Sequence, residues 1–341
     1  MVQAYTQETG QGGDGSESAG SRARRLLRRW RHDRGIWRRG LVTAGFAVLL
    51  ALMMVFHAQI PNRVGNLGSL LETFLPWLGL FIPVLLVVAL VRRSATALIA
   101  LLLPVVVWLN LFGGLMFFDR SGTGGNFSVV THNVNADNTD PAGTARKVSA
   151  SGADVVALEE LTGEAVPAYR KALADAYPFH TVQGTVGLWS KYPLRDSAPV
   201  DIKLGWTRAL RTTVATPYGD VAVYVAHLPS VRVKSDKGFT AGQRDDSAEA
   251  LGERIADERL GRVVLLGDLN GTMNDRALAP VTSQLRSAQG AAGDGFGFSW
   301  PASFPMARID QIMVRGMDPV SAWTLPRTAS DHLPVAASVK L

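Results

Sequence analysis

Acidic, amide and imidazole side chains stand at the ends of apolar runs throughout the second half of the chain. In sequence order they are Asn133, Glu159, Glu160, His227, Asp268, Asn270, Asp310, Asp331 and His332. Carboxylate and carboxamide oxygens are ligands for hard divalent cations, and a carboxylate beside an imidazole can move a proton near neutral pH. Strands packed side by side would bring these groups to one rim. The pattern therefore predicts an active site at the strand ends.

Each of these residues also has a structural explanation when it is taken alone. Asp and Asn after a strand commonly form turns, and Glu160 fits a solvated carboxylate or a charge at a helix N-terminus. His227 fits a hydrogen-bonded core histidine, and the Asp331–His332 pair fits an ordinary strand entry. Their joint occurrence in this order favours the catalytic interpretation.

Strands interleaved with helices must position these groups. Apolar, β-rich runs predict strands at residues 127–134, 154–159, 185–190, 209–215, 220–227, 262–267, 309–314 and 333–340. Alanine and leucine at helical spacing predict helices at 164–176 and 244–260. This alternation predicts a layered α/β domain over residues 126–341.

The order of the polar groups resembles that of the endonuclease/exonuclease/phosphatase (DNase I-like) superfamily, which includes secreted DNases, apurinic endonucleases, neutral sphingomyelinases and inositol-polyphosphate phosphatases. The matching segments are THNVN 131–135, DVVALEEL 154–161, SKYPL 190–194, AHLPS 226–230, GDLN 267–270, RIDQIMV 308–314 and SDHLPV 330–335. The resemblance implies a four-layered α/β/β/α sandwich with its active site at one end of two sheets. It also implies metal-dependent hydrolysis of a phosphate ester.

The resemblance assigns a role to each matched residue. Mg²⁺ is the implied metal, with Mn²⁺ as the alternative, and its implied ligands are Glu160, Asn133 and Asp331. Five further residues would act on the substrate or on water. Asp310 would orient His332, Asp268 and His332 would share water activation, Asn270 would hold a phosphate oxygen, and His227 would stabilise developing charge.

Two positions depart from the family pattern. Glu159 stands where the family commonly has glutamine, and Asn135 stands where apurinic endonucleases carry an acid, which argues against DNA repair. Several basic and aromatic residues could line the substrate side, although solvated surface charges are the favoured interpretation. They are Trp206, Arg208, Arg211 and, in the 229–243 loop, Arg232, Lys234 and Lys237.

Three uncharged windows occupy the N-terminal third, at residues 40–62, 73–91 and 94–118. They contain 23, 19 and 25 residues, and about 20 suffice for a helix to cross a bilayer. They predict a three-helix transmembrane anchor, with a buried soluble bundle as the alternative. Residues 119–125 would then form a short linker to the domain.

Charge predicts the orientation of this anchor. The net charge is +6 overall, but residues 1–40 contribute +5 and residues 126–341 only −1. A uniformly basic protein that coats nucleic acid is therefore excluded. Residues 1–39 form a predicted disordered tail and basic block, which the positive-inside rule places in the cytoplasm together with Arg92 and Arg93. We expect a bacterial plasma-membrane protein with its catalytic domain outside.

Three functions follow, in order of preference. The anchor and short linker favour an extracytoplasmic phosphoesterase acting on a lipid-linked cell-wall precursor. This architecture is similar to that of actinomycete VanJ-type membrane proteins, which implies resistance to teicoplanin and other glycopeptides. The alternatives are a surface-tethered nuclease and a non-catalytic binding module.

The predicted partners are the bilayer and a phosphate-containing substrate, with no obligate protein partner. The absence of cysteine excludes disulfides, cysteine zinc sites and thiol nucleophiles.

Overall fold

The computed structural model describes residues 35–62, 66–234 and 238–341, and for residues 232–234 and 238–240 it describes the backbone alone. The predicted cytoplasmic tail and most of the basic block therefore lie outside the described residues. The same holds for the side chains of Arg232, Lys234 and Lys237 in the predicted substrate loop.

Four apolar helices form the N-terminal part. They are α1 Leu41–Val55, α2 Leu67–Thr73, α3 Leu75–Val91 and α4 Ala95–Met116. Within the described ranges, α4 is the one helix that alone is long and apolar enough to cross a membrane, with 22 residues. Helices α2 and α3 reach that length together but are bent by 73° where they meet.

The first helix is shorter than the predicted window 40–62. It ends at Val55, and the chain continues through a short 3₁₀ turn, His57–Gln59. Ile60 is extended (φ −67°, ψ 120°), as expected for a residue that precedes a proline, here Pro61. At 15 residues α1 is a shorter apolar helix, so the helices alone do not establish three spans.

The rest of the chain forms two six-stranded sheets and a small hairpin. The strands are β1 Phe127–Asn133, β2 Val155–Glu159, β3 Phe179–Gln183, β4 Val186–Ser190, β5 Leu194–Pro199, β6 Ala209–Thr216, β7 Gly219–Ala226, β8 Arg232–Lys234, β9 Gly238–Thr240, β10 Val263–Asp268, β11 Arg286–Ser287, β12 Asp310–Arg315, β13 Asp318–Thr324 and β14 Val335–Lys340. The first sheet has the order β13-β14-β1-β2-β4-β3, the second has the order β11-β12-β10-β7-β6-β5, and β8 pairs with β9.

Among the described residues of this domain are five α-helices: α5 Pro141–Ser149, α6 Val166–Leu173, α7 Gly242–Ala256, α8 Ala279–Thr282 and α9 Ala288–Ala292. Three apolar cores separate the layers. The central core joins the sheets and includes Val129 and Val264, while their neighbours Val130 and Leu265 face the outer cores. This alternation follows from the period of two in a strand. Helices α5 and α6 cover one sheet and α7 the other, which confirms the predicted α/β sandwich.

Strand register places the polar ends together. β1 runs parallel to β2 with Asn133 opposite Glu159, and β10 runs antiparallel to β12 with Asp268 opposite Asp310. The two sheets pack face to face through the central core. Polar residues from both sheets therefore reach the same rim of the sandwich.

The apolar helices are docked on this domain. The Glu72 carboxylate, fully buried, pairs with Arg276 at 3.0 Å, and Trp77 Nε1 donates to the Met306 carbonyl at 2.7 Å. The ring of Phe112 in α4 lies 5.9 Å from that of Phe296. An ion pair and an aromatic seam thus hold the helices beside the strand-end rim.

Candidate active site

Asn133 and Glu160 connect the two sheets at the rim. Glu160 directly follows β2 in the left-handed conformation (φ 61°), and its carboxylate accepts the Ala136 N–H at 3.0 Å. The Asn133 side-chain amide donates to Glu160 Oε1 at 3.2 Å and to Asp268 Oδ2 at 3.1 Å. Two predicted site carboxylates, one from each sheet, therefore lie on either side of a single carboxamide.

His332 and Asp310 form a buried carboxylate–imidazole pair. His332 Nδ1 lies 2.9 Å from Asp310 Oδ2, and the two side chains are 7% and 0% exposed. Burial alone would lower the pKa of His332, but the charge and hydrogen bond of Asp310, with help from Asp268, raise it to about 10. Ser330 Oγ fixes the backbone here, since it accepts the His332 N–H at 3.0 Å and donates to the Asn133 carbonyl at 2.7 Å.

Asp268 sits at the centre of the site, at the end of β10. Burial raises the pKa of Asp268 to about 7. Its Oδ1 accepts the Asn270 N–H at 2.8 Å, and its Oδ2 lies 3.9 Å from His332 Nε2. That separation is longer than a hydrogen bond. Asp268 and His332 therefore face a common position without sharing a proton directly.

Gly267 allows Asp268 to reach this position. Its φ of +141° is rare for L-residues, and a Cβ there would lie 1.9 Å from the Ala226 carbonyl oxygen of β7. Only glycine lets β10 approach β7 this closely at the strand end. The glycine and the aspartate of the GDLN segment are therefore linked, because Gly267 allows the close strand approach that brings Asp268 to the site.

His227 is a neutral member of the site. Burial, with Arg208 and His332 nearby, lowers its pKa well below the usual range. Its Nε2 lies 3.5 Å from Glu160 Oε1 and 3.7 Å from Asp268 Oδ2. The Arg208 guanidinium contacts the imidazole and lies 5.1 Å from the centre of the Trp206 ring. Arg208 therefore brings a cation to this rim, whereas the favoured interpretation of its sequence was a solvated surface charge.

A cavity of about 480 Å³ opens over these groups. We call it the catalytic cavity. Glu160, Asp268, Asn270, Asp331 and His332 line one side of it. The remaining lining residues are Leu70, Thr73, Phe74, Ser230, Val231, Trp300, Ala307 and Ile309. Leu70 and Thr73 belong to α2 and Phe74 follows it, so the apolar N-terminal part contributes a wall of the site.

The sequence matches the model of the Endonuclease/Exonuclease/phosphatase family over residues 130–332. The chain belongs to this family. By class it is a metal-dependent phosphodiesterase or phosphatase. The match spans every predicted site residue from Asn133 to His332. No curated protein matches this sequence.

Solved structures share the fold of the family domain. A humanized TDP2 of D. rerio is 18% identical with a TM-score of 0.53, covering 63% of this chain and 99% of that chain. An endonuclease/exonuclease/phosphatase from Bacteroides vulgatus is 16% identical with a TM-score of 0.53, covering 63% and 98%. Beta toxin of Staphylococcus aureus is 14% identical with a TM-score of 0.51, covering 62% and 99%. At these identities the likeness concerns the fold alone.

The residues fit the divalent metal of this family. Asp268, Asp310 and His332 can bring one ligand atom each within 4.8 Å of one another, but His332 is already bound to Asp310. Oxygen ligands suit Mg²⁺ better than imidazole does, which favours the carboxylate of Glu160 and the carboxamide oxygen of Asn133 over His332. The buried Asp310 Oδ1 has no hydrogen-bond partner among the described residues. An unsatisfied carboxylate oxygen at this depth fits a nearby cation.

Glu159, the departure from the family pattern, behaves as a neutral group. It is fully buried, and burial raises its pKa well above the usual range. Thr131 Oγ1 donates to its Oε1 at 2.6 Å. A protonated carboxyl group has one donor and one acceptor side, as a glutamine amide has. Glu159 can therefore occupy the glutamine position without adding charge to the site.

Two other predicted residues lie apart from this cluster. Asp331 is exposed at the edge of the catalytic cavity, so its proximity to a metal stays a prediction. Arg211 lies on a different surface, where its guanidinium pairs with Glu258 through bonds of 3.0 and 3.1 Å. Arg211 therefore has a structural partner and does not line the catalytic cavity.

Proposed function

We propose that this protein is a membrane-anchored, Mg²⁺-dependent phosphoesterase that hydrolyses a phosphate ester or pyrophosphate bond in a lipid-linked headgroup outside the cell. One observation carries the proposal. Leu70 and Phe74, which belong to the apolar N-terminal part, line the same cavity as Glu160, Asp268 and His332. A substrate with an apolar portion next to its phosphate fits such a cavity better than a fully polar one.

The residues divide the reaction between them. Glu160 with Asn133 would hold the metal, with Asp331 at the edge. The chemistry supplied by Mg²⁺, when bound, is neutralisation of the non-bridging phosphate oxygens. Asp268, whose pKa of about 7 suits proton transfer near neutrality, would orient and deprotonate the attacking water.

The remaining residues orient the substrate and stabilise charge. Asp310 holds Nδ1 of His332, so Nε2 faces Asp268 and the reacting position. His332, whose pKa is raised to about 10, keeps its proton as an imidazolium at neutral pH and would share water activation by orienting the water that Asp268 deprotonates. Asn270, which lines the cavity, would hold a phosphate oxygen, and the neutral imidazole of His227, whose Nε2 lies 3.5 Å from Glu160 Oε1, would stabilise developing charge.

The N-terminal helices support a membrane-bound substrate. Large apolar side chains are exposed along α1, α3 and α4, among them Phe46, Val87 and Val106 at 57%, 60% and 63%. Such surface is typical of contact with lipid rather than water. Holding the site at a bilayer raises the effective concentration of a lipid-linked substrate. We propose the three-span topology in the plasma membrane on these grounds, and the outward orientation on the distribution of arginines, which lie before the first span and at Arg92 and Arg93.

A cell-wall precursor is the substrate we favour. As in the VanJ-type proteins that the architecture resembles, its hydrolysis would confer resistance to teicoplanin. Expression of the chain in a sensitive host should then raise the inhibitory concentration of teicoplanin, and His332→Ala should abolish the increase. Equal resistance in the two strains would contradict a catalytic route to resistance.

A surface-tethered nuclease is the second candidate. Trp206 is 57% exposed beside Arg208, and an aromatic ring next to a cation can stack on a nucleic-acid base. The TDP2 of D. rerio with the same fold has been solved with a single-strand DNA product, at 16% identity and a TM-score of 0.53. The near-neutral domain opposes this candidate, because counterion release rewards a basic surface.

One biochemical experiment separates the candidates. The full chain in detergent is assayed for phosphate or nucleotide release from polyprenyl diphosphates, lipid-linked wall precursors, phospholipids and DNA, with Mg²⁺, with Mn²⁺ and with a chelator. We expect metal-dependent hydrolysis of a lipid-linked compound that His332→Ala abolishes. Cleavage of DNA alone would establish the nuclease, and inactivity on all substrates would leave the binding module.

A further inference from the structure

A second cavity, of about 340 Å³, lies between helix α4 and the domain. One wall comes from the end of α4 and includes Leu111 and Leu115, and the opposite wall includes Phe296 and Phe298. This cavity shares only Thr73 with the lining of the catalytic cavity. It is therefore a separate space, at the point where α4 gives way to the polar segment that begins at Asp119.

Arg308 brings a cation to this cavity. Its Nη1 is buried and has no hydrogen-bond partner among the described residues. Its Nη2 reaches Ser287 Oγ only at 3.4 Å. Burial lowers the pKa of Arg308 to about 10, so the group stays charged at neutral pH. Arg308 is half-buried, and an anion in the cavity would satisfy its buried Nη1 group.

Arg120 supplies a second cation at the same cavity. Its Nη1 donates to the Gly290 carbonyl at 2.6 Å, which fixes the side chain while other guanidinium N–H groups remain for a ligand. Asn274 and Ser287 add polar groups to the lining. Two arginines and small polar groups are the usual environment of a phosphate.

We propose that the cavity between α4 and the domain binds the phosphate group of an anionic phospholipid. The shared chemistry is that of a phosphate anion, and free inorganic phosphate is its other source. The walls favour the lipid, because aromatic and leucine side chains surround the arginines. Leu111 of α4 lines the cavity, is 36% exposed and would contact the acyl chains.

Native mass spectrometry of the full chain in detergent tests the proposal. Phosphatidylglycerol, phosphatidylcholine with the same acyl chains and inorganic phosphate are titrated separately. We expect one tightly held phosphatidylglycerol, and about tenfold weaker binding in Arg308→Gln and in Arg120→Gln, since each removes a charge-assisted hydrogen bond. Arg308→Lys keeps the charge and should lose less.

Two arginines serve as matched controls. Arg315 ends the strand that Arg308 precedes and donates to the Ile255 and Glu258 carbonyls. Arg262, like Arg120, donates to a single backbone carbonyl, that of Tyr218. Neither lines the cavity, so Arg315→Gln and Arg262→Gln should bind phosphatidylglycerol as the wild type does.

The possible outcomes distinguish a phospholipid ligand from inorganic phosphate, and some of them would refute the site itself. Equal phosphatidylglycerol binding in Arg120→Gln, Arg308→Gln and wild type overturns the proposal, as does equal weakening in the control variants. Arginine-dependent binding of inorganic phosphate but of no lipid overturns the lipid as ligand and supports a phosphate site. The catalytic variant His332→Ala should retain full lipid binding, so failure of the proposed enzyme function and failure of this site are distinguishable.

Discussion

The ion pair between Glu72 and Arg276 should hold helix α2 against the domain. Glu72 Oε1 lies 3.0 Å from Arg276 Nε, and Glu72 is fully buried whereas Arg276 is 28% exposed. The Arg276 backbone N–H also donates to Glu72 Oε2, at 3.3 Å. The Glu72→Gln substitution keeps the shape of the side chain and removes its charge. It leaves the Arg276 cation facing a neutral amide.

The size of the effect follows from burial. Removing one partner of a buried ion pair costs about 3–5 kcal/mol. Because Arg276 keeps some contact with water, we expect the lower end, about 3 kcal/mol in the equilibrium between docked and undocked α2. Such a change corresponds to about a hundredfold increase in the undocked population. The wall that Leu70 and Phe74 contribute to the catalytic cavity would open with it.

Hydrogen–deuterium exchange of the full chain in detergent measures this population. Amides of residues 67–74 should exchange about a hundredfold faster in Glu72→Gln, because their protection depends on docking. Glu258→Gln is the matched control, since it breaks another carboxylate–arginine pair, with Arg211, away from α2. An acceleration below about threefold in Glu72→Gln, or equal acceleration in both variants, would refute the docking role of the pair.

Three further predictions concern the domain itself. Glu258→Gln should lower the free energy of unfolding at pH 7 by about 3 kcal/mol. Burial opposes the charge of Glu258, but hydrogen bonds from Arg211, Leu260 and Tyr224 lower its pKa from 4.5 to about 2. The difference should persist above pH 4.5 and shrink as the pH falls towards 2 in denaturation curves, and no change with pH would contradict it. Asp310→Asn should reduce the hydrolysis rate about 10²- to 10⁴-fold with unchanged circular dichroism, because a neutral amide does not stabilise the His332 imidazolium. A wild-type rate in this variant would exclude a catalytic role for the Asp310–His332 pair. Gly267→Ala should cost about 1–3 kcal/mol and most activity, because its Cβ would meet the Ala226 carbonyl at 1.9 Å; a stable, active variant would contradict the assigned close approach.

The interior of the sandwich was predictable from sequence, whereas its edges were not. Strands β1, β2, β7 and β10 are apolar runs that end in polar residues, so both their positions and their common rim could be inferred. Strands β3, β5, β11 and β13 were missed, as were the hairpin strands β8 and β9. The first four lie at sheet edges, and the side chains of β3, β5 and β13 are mostly exposed or half-buried, as in β5, LRDSAP. Such strands carry no periodic apolar signal, because one edge faces solvent.

Other features could not be predicted because they depend on contacts between residues that are far apart in the sequence. Glu72 and Arg276 are separated by 204 residues, and neither belongs to a recognisable motif. Leu70 and Phe74 reach the catalytic cavity only because α2 is docked on the domain, and the local sequence around them does not indicate this docking. Arg308 belongs to the matched RID segment, but its unpartnered guanidinium becomes visible only once the cavity around it is known.

Substrate selectivity of Phe74→Ala tests the central claim most directly, namely that an apolar N-terminal wall adapts a family phosphoesterase site to a lipid-linked phosphate. Hydrolysis rates of the full chain are compared for a polyprenyl diphosphate and a water-soluble phosphodiester. Phe179→Ala, which truncates a partly exposed phenylalanine on edge strand β3, is the control. We predict that Phe74→Ala lowers the rate on the lipid at least about tenfold, as expected for a lost apolar contact, and leaves the soluble rate unchanged. Equal loss on both substrates, or none on the lipid, would contradict the account.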